Sequence, residues 1–95
     1  MSDYQTFSTK NGMGKDIFPE QIRAARGLLG WTQEDLANAS GLTVRTLARI
    51  ESAQTTPRQT TLEALSAALE AAGVEFIPEN GGGPGVRLAH KLSRP

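Results

Sequence analysis

From residue 19 onward apolar side chains recur every three or four positions, which marks out four helical segments before the period changes. Pro19 suits a first helical position and Glu20 complements the positive end of the helix dipole. Ile22, Ala25, Leu28 and Leu29 supply the expected inward stripe of helix 1, and Gly30 stops the run. Thr32 then offers an N-cap hydroxyl with Asp35 at the capping-box position, and Leu36 and Ala37 form a short apolar stripe. This second helix is expected to end near Ser40, where Gly41 can adopt the positive φ of an abrupt turn. Thr43 caps a third segment in which Leu47 and Ile50 share one face while Arg45 and Arg49, four apart, lie nearly opposite. After the polar loop SAQTTPRQ (52–59), Thr60 is the expected cap of a fourth helix. Glu63 sits at its capping-box position, Leu62, Leu65, Ala68, Leu69 and Ala72 point inward, and Gly73 closes it.

Beyond Gly73 the period falls to two. Val74 and Phe76 alternate with Glu75 and Ile77, the turn-forming ENGGGPG follows, and Val86 and Leu88 alternate with Arg87 and Ala89, which predicts a β-hairpin. Setting Phe76 opposite Val86 also sets Val74 opposite Leu88 on the same face and Glu75 opposite Arg87 on the other, so one register satisfies burial and charge together. An isolated hairpin is marginal in water and leaves strand edges open. The expected cover is the same hairpin from a second subunit, in an intermolecular sheet that packs Val74, Phe76, Val86 and Leu88 on the Leu65/Leu69 face of helix 4. The alternative is a strand from a different protein. The expected organisation is therefore an N-terminal arm over 1–16, polar and without a period, a helical domain over 17–73, a hairpin for dimerisation over 74–89 and a basic tail over 90–95.

Composition narrows the picture. Ninety-five residues suffice for one small core, and with 38% hydrophobic residues that core needs close helix packing or a partner subunit. The absence of cysteine excludes disulfides, thiolate metal sites and cysteine nucleophiles, and it suits a reducing cytoplasm. No stretch of eighteen apolar residues occurs and the N-terminus lacks a signal-peptide pattern, so no membrane association and a cytoplasmic location are expected. Net charge is zero, but it is sorted. Residues 59–80 carry Glu63, Glu70, Glu75 and Glu79 without a base, residues 36–58 carry Arg45, Arg49 and Arg58 against Glu51, and residues 86–95 carry Arg87, Lys91 and Arg94 without an acid.

Two short helices joined by a glycine-containing turn, the second with a basic outer face, describe a helix-turn-helix. Such a helix fits the major groove, where an arginine fork can meet guanine acceptors or phosphate oxygens. The stretch LLGWTQEDLANASGLTVRTLARIESAQTTP resembles the helix-turn-helix of the Xre/Cro-type, phage-repressor-like regulators: Gly, an aromatic or aliphatic residue, T-Q-x-x-L-A, G-hydrophobic, then a recognition helix ending in I-E. The resemblance covers roughly residues 19–73 and implies a mainly α, four-helix phage-repressor-like fold with the hairpin appended.

The resemblance implies site residues position by position. Gln33 matches a glutamine that clamps a phosphate at a helix N-terminus, with Thr32 counted beside it. Thr43, Val44, Arg45 and Thr46 fall where the family contacts bases and nearby phosphates, and Arg49 lies one turn later at another base-reading position. Arg58 matches a loop region that touches the DNA backbone. Glu51 matches an acid paired with a base of helix 1, here Arg26, in a structural ion pair. Val44 departs from the polar base reader of several relatives; it can meet a thymine methyl or face solvent.

Other candidate chemistry is thin. Trp31, at the junction of helices 1 and 2, is expected to pack rather than stack on a base. GGGPG lacks the Gly-Lys-Ser/Thr ending of a phosphate loop, and His90 has no second ligand or nucleophile. Glu34 and Asp35 are adjacent and diverge on a helix. No enzyme, cofactor or metal is expected. The expected function is a sequence-specific transcriptional regulator that binds double-stranded DNA as a homodimer, in the manner of a repressor of an inverted-repeat operator. The alternative is a protein-interaction module, an antitoxin or antiactivator that sequesters a protein partner.

Overall fold

The computed structural model describes residues 17–90, in the order α1 (Pro19–Leu29), α2 (Gln33–Ser40), α3 (Val44–Glu51), α4 (Gln59–Ala71), β1 (Val74–Ile77) and β2 (Gly85–Leu88). The expected arm over 1–16 and all of the tail after His90 lie outside the described residues. Each helix begins and ends for a local reason. Phe18 precedes α1 in extended conformation, and the Gln21 side-chain oxygen accepts the Phe18 N–H at 2.8 Å. At α2 the Thr32 hydroxyl accepts the Asp35 N–H at 3.1 Å while the Asp35 carboxylate accepts the Thr32 N–H at 2.9 Å, the reciprocal box expected from the sequence. Gly30 and Gly41 close α1 and α2 in left-handed conformation, at φ 68° and 79°, where a Cβ would be strained.

Two local expectations need correction. Thr60 is not the cap of α4: the cap is Arg58, two residues earlier, and the helix starts at Gln59, because the Arg58 carbonyl already accepts the Leu62 N–H at 3.0 Å and closes the first turn. Leu28 is not inward but 41% exposed. At about 100° per residue, six positions from Ile22 carry it well off the stripe that Ile22, Ala25 and Leu29 share.

The core is one cluster contributed by every element. Ile17, Ile22, Ala25, Leu36, Ala37, Leu47, Ile50, Leu62, Leu65, Leu69, Val74 and Phe76 are buried, with Leu29, Trp31, Leu42, Ala68 and Val86 packed against it. The hairpin is antiparallel in the expected register, Val74 opposite Leu88, Glu75 opposite Arg87 and Phe76 opposite Val86. It lies on α1 and α4 of its own chain, and the Gln21 amide, itself buried, donates to the Gly85 carbonyl at 2.9 Å. The cover that sequence analysis assigns to a second subunit is thus supplied in part by the same chain. Val74 and Phe76 are buried in that core. No helix among the described residues is long and apolar enough to cross a membrane.

Candidate nucleic-acid interface

The chain reverses between α2 and α3 over Gly41, Leu42 and Thr43, and the turn hydrogen bonds, Gly41 and Leu42 N–H to the Ala37 carbonyl at 2.9 and 3.0 Å, fix how the two helices meet. Thr43 starts α3 by accepting the Thr46 N–H on its hydroxyl at 3.1 Å, and the same hydroxyl donates to Thr46 Oγ1 at 3.1 Å. Leu47, Ile50 and Glu51 then turn inward and are buried. Their counterparts Thr43, Val44, Arg45, Thr46 and Arg49 are all exposed, so the eight-residue helix has one face in the core and one in solvent. Val44, at 43%, is among the large hydrophobic residues left exposed. Neither Arg45 nor Arg49 is paired with an acid among the described residues. Their guanidinium groups, five N–H donors each, face outward.

The end of α3 is set by Ala53, a non-glycine residue at φ 61°, with the Gln54 N–H on the Arg49 carbonyl at 2.9 Å and the Ala53 N–H on the Ile50 carbonyl at 3.0 Å. Arg58 follows the loop as the exposed residue before α4.

Behind this face lies an ion pair. Arg26 Nε donates to Glu51 Oε2 at 2.7 Å and Nη2 to Oε1 at 2.8 Å, a two-bond fork, while Nη1 donates to the Trp31 carbonyl at 3.0 Å. Glu51 is 3% exposed, so its charge is nearly out of water and needs these donors. Hydrogen bonding to Glu51 is the largest influence on Arg26 and raises its pKa above the ordinary value; burial opposes this and the attraction of the two charges adds to it. Gln33, half-buried at the first position of α2, donates its amide to Glu51 Oε1 at 3.1 Å. Its carboxamide nitrogen keeps a second N–H. Arg23, exposed on α1, donates through Nη1 to the Glu51 main-chain carbonyl. One residue therefore joins α1, the start of α2 and the end of α3. The Arg23 and Gln33 attachments escape sequence reasoning; the available signal was the placement of Arg23 and Arg26 three apart on one side of α1.

The expected site residues fall into three places. Thr32, Thr43, Val44, Arg45, Thr46, Arg49 and Arg58 are exposed, Gln33 bridges surface and interior, and Arg26 with Glu51 lies beneath. Val86 and Leu88 are half-buried on β2.

No curated protein matches the chain. A family model described as helix-turn-helix matches residues 22–76, the span from Ile22 of α1 into β1. With the exposed arginine face of α3, the turn at Gly41 and a match over more than half its length, the chain belongs to the Xre/Cro-type helix-turn-helix family of DNA-binding transcription regulators.

Proposed function

We propose that the protein is a sequence-specific repressor that inserts α3 into the major groove and binds an inverted-repeat operator as a two-fold dimer. The observation that carries this is the division of α3: Leu47 and Ile50 are 0% and 1% exposed, whereas Arg45 and Arg49 stand in solvent without acidic partners among the described residues. A helix so anchored presents arginine forks to guanine edges and the Val44 side chain to a thymine methyl. Thr43 and Thr46 flank them, Gln33 and Thr32 meet a phosphate at the start of α2, and Arg58 adds a cation on the far side.

The dimer is supported by the hydrogen-bond phase of the hairpin. The Ala89 N–H bonds the Gly73 carbonyl at 2.8 Å, so the bonded pairs alternate from there and the main-chain groups of Val86 and Leu88 turn to the outer edge of β2. That edge, with its row of outward main-chain groups, is the part of the hairpin assigned to pairing with a second subunit. Two recognition helices then lie about one duplex turn, ~34 Å, apart.

Selection of bound duplexes from a random-sequence pool, followed by titration, tests the assignment. Arg45→Ala and Arg49→Ala are each expected to lower affinity for the selected site by about 1–3 kcal/mol and to relax its sequence preference, with the circular dichroism spectrum unchanged. Wild-type affinity in both variants refutes the α3 interface. Light scattering is expected to give twice the chain mass, and a selected site without two-fold symmetry counts against the dimer.

A further inference from the structure

The geometry points to Arg23 as an additional DNA-backbone contact, forming with Gln33 a phosphate seat that Glu51 positions from behind. The inference rests on the DNA-binding proposal and extends it from the helix-turn-helix onto α1. Arg23 is exposed, yet it is not a free-swinging surface cation, because Nη1 donates to the Glu51 main-chain carbonyl. Gln33 is tied to the carboxylate of that same residue at 3.1 Å. Guanidinium and carboxamide from two different helices are thereby attached to one residue, the first at its main chain and the second at its carboxylate, each with N–H donors to spare. A side chain already oriented by a neutral carbonyl loses less freedom on meeting a ligand than an unrestrained one.

Charge gives the reason a cation is wanted there. The α2 segment QEDLANAS contains no lysine or arginine, and its first turn carries Glu34 and Asp35. Asp35 is folded back on the Thr32 N–H, but Glu34 is exposed and repels a phosphate approaching Gln33. Arg26 offsets this little, since its charge is balanced by the Glu51 carboxylate that it grips through Nε and Nη2. Arg23 is a cation tethered to the same residue as Gln33 that remains in solvent, and its planar fork matches phosphate oxygens.

A backbone contact acts on every sequence alike and shows in the salt dependence. The test compares wild type with Arg23→Gln, which keeps a donor for the Glu51 carbonyl but loses the charge, and with Arg23→Lys, which keeps the charge. Each is titrated against the duplex that wild type selects and against an unselected duplex of equal length, from 50 to 200 mM salt. For Arg23→Gln the log–log slope is expected to flatten by about 0.9 on both duplexes, so that over this range wild type loses about 3.5-fold more affinity than the variant. Arg23→Lys is expected to restore the slope, and the preference between duplexes to stay the same in all three proteins. Superimposable salt plots for wild type and Arg23→Gln overturn the assignment, as does a lowered melting temperature in Arg23→Gln that Arg23→Lys fails to restore. If those results come while Arg45→Ala still weakens the selected complex, the α1 contact fails and the α3 interface stands; if Arg45→Ala has no effect either, the DNA-binding proposal itself fails.

Discussion

Among the described residues two arginine–glutamate pairs have nearly the same contacts in different surroundings. Arg26 grips Glu51 through Nε and Nη2 at 2.7 and 2.8 Å, and Arg87 grips Glu75 through the same two nitrogens at 3.1 Å each. The first pair has side chains 20% and 3% exposed, the second 64% and 46%. Hydrogen bonding to the partner carboxylate raises the pKa of both arginines. A raised cation contributes stability that is complete below the unfolded value and disappears only as pH climbs through the folded one, so the arginine side of either pair gives way in strong alkali alone. Titration barely separates the two; solvent does. Water and salt can replace what Arg87 gives Glu75, whereas nothing replaces what Arg26 gives a buried Glu51.

Breaking the buried pair is therefore expected to have the largest effect. Arg26→Leu strands the Glu51 charge and should cost about 3–5 kcal/mol in urea unfolding, since an uncompensated buried carboxylate is the principal penalty. A value within error of wild type means that water reaches Glu51 when its partner is gone. Replacing both partners, Arg26→Met with Glu51→Leu, is expected to recover most of that loss, because the charge and its desolvation vanish together. The same double variant should bind duplex DNA more weakly than wild type at equal salt, as Gln33 loses the carboxylate that orients it; undiminished binding would show that Gln33 needs no support.

A third change probes the helix end that carries Glu51. Ala53 holds a left-handed conformation that disfavours a Cβ, so Ala53→Gly is expected to stabilise the fold by up to about 1 kcal/mol. A loss of stability instead would mean that freedom gained by the unfolded chain outweighs the relief. The exposed pair closes the series with the smallest effect. Glu75→Gln should leave the unfolding midpoint close to wild type, with any difference disappearing in molar salt. A difference that persists in salt would place that pair in a drier environment than its exposure indicates.

Much of this architecture follows from spacing alone. Thr32 with Asp35, Gly30 and Gly41, and the Leu47/Ile50 edge of α3 are each dictated within a few residues of chain, and the structure carries them as expected. The hairpin register is similarly local, because a slip by one residue would put Phe76 in water and separate Glu75 from Arg87. Where expectation and structure part, a choice lay between near-equivalent neighbours. Thr60 and Arg58 are two residues apart, and a favourable cap hydroxyl loses to the turn that seats Leu62 in the core. Leu28 and Leu29 are adjacent, and only one can face inward.

Caps, periodicity and cross-strand matching act between residues close along the chain, and they set the four helices, the turn at Gly41, the arginine-bearing outer face of α3 and the pairing of the hairpin. Tertiary structure alone decided that Arg23 and Gln33, ten positions apart, meet at Glu51, that Gln21 reaches Gly85, and that the hairpin lies on α1 and α4 of its own subunit. Those contacts join distant segments whose side chains carry no periodic signal of each other, and they form only because burying the shared apolar core brings their helices together.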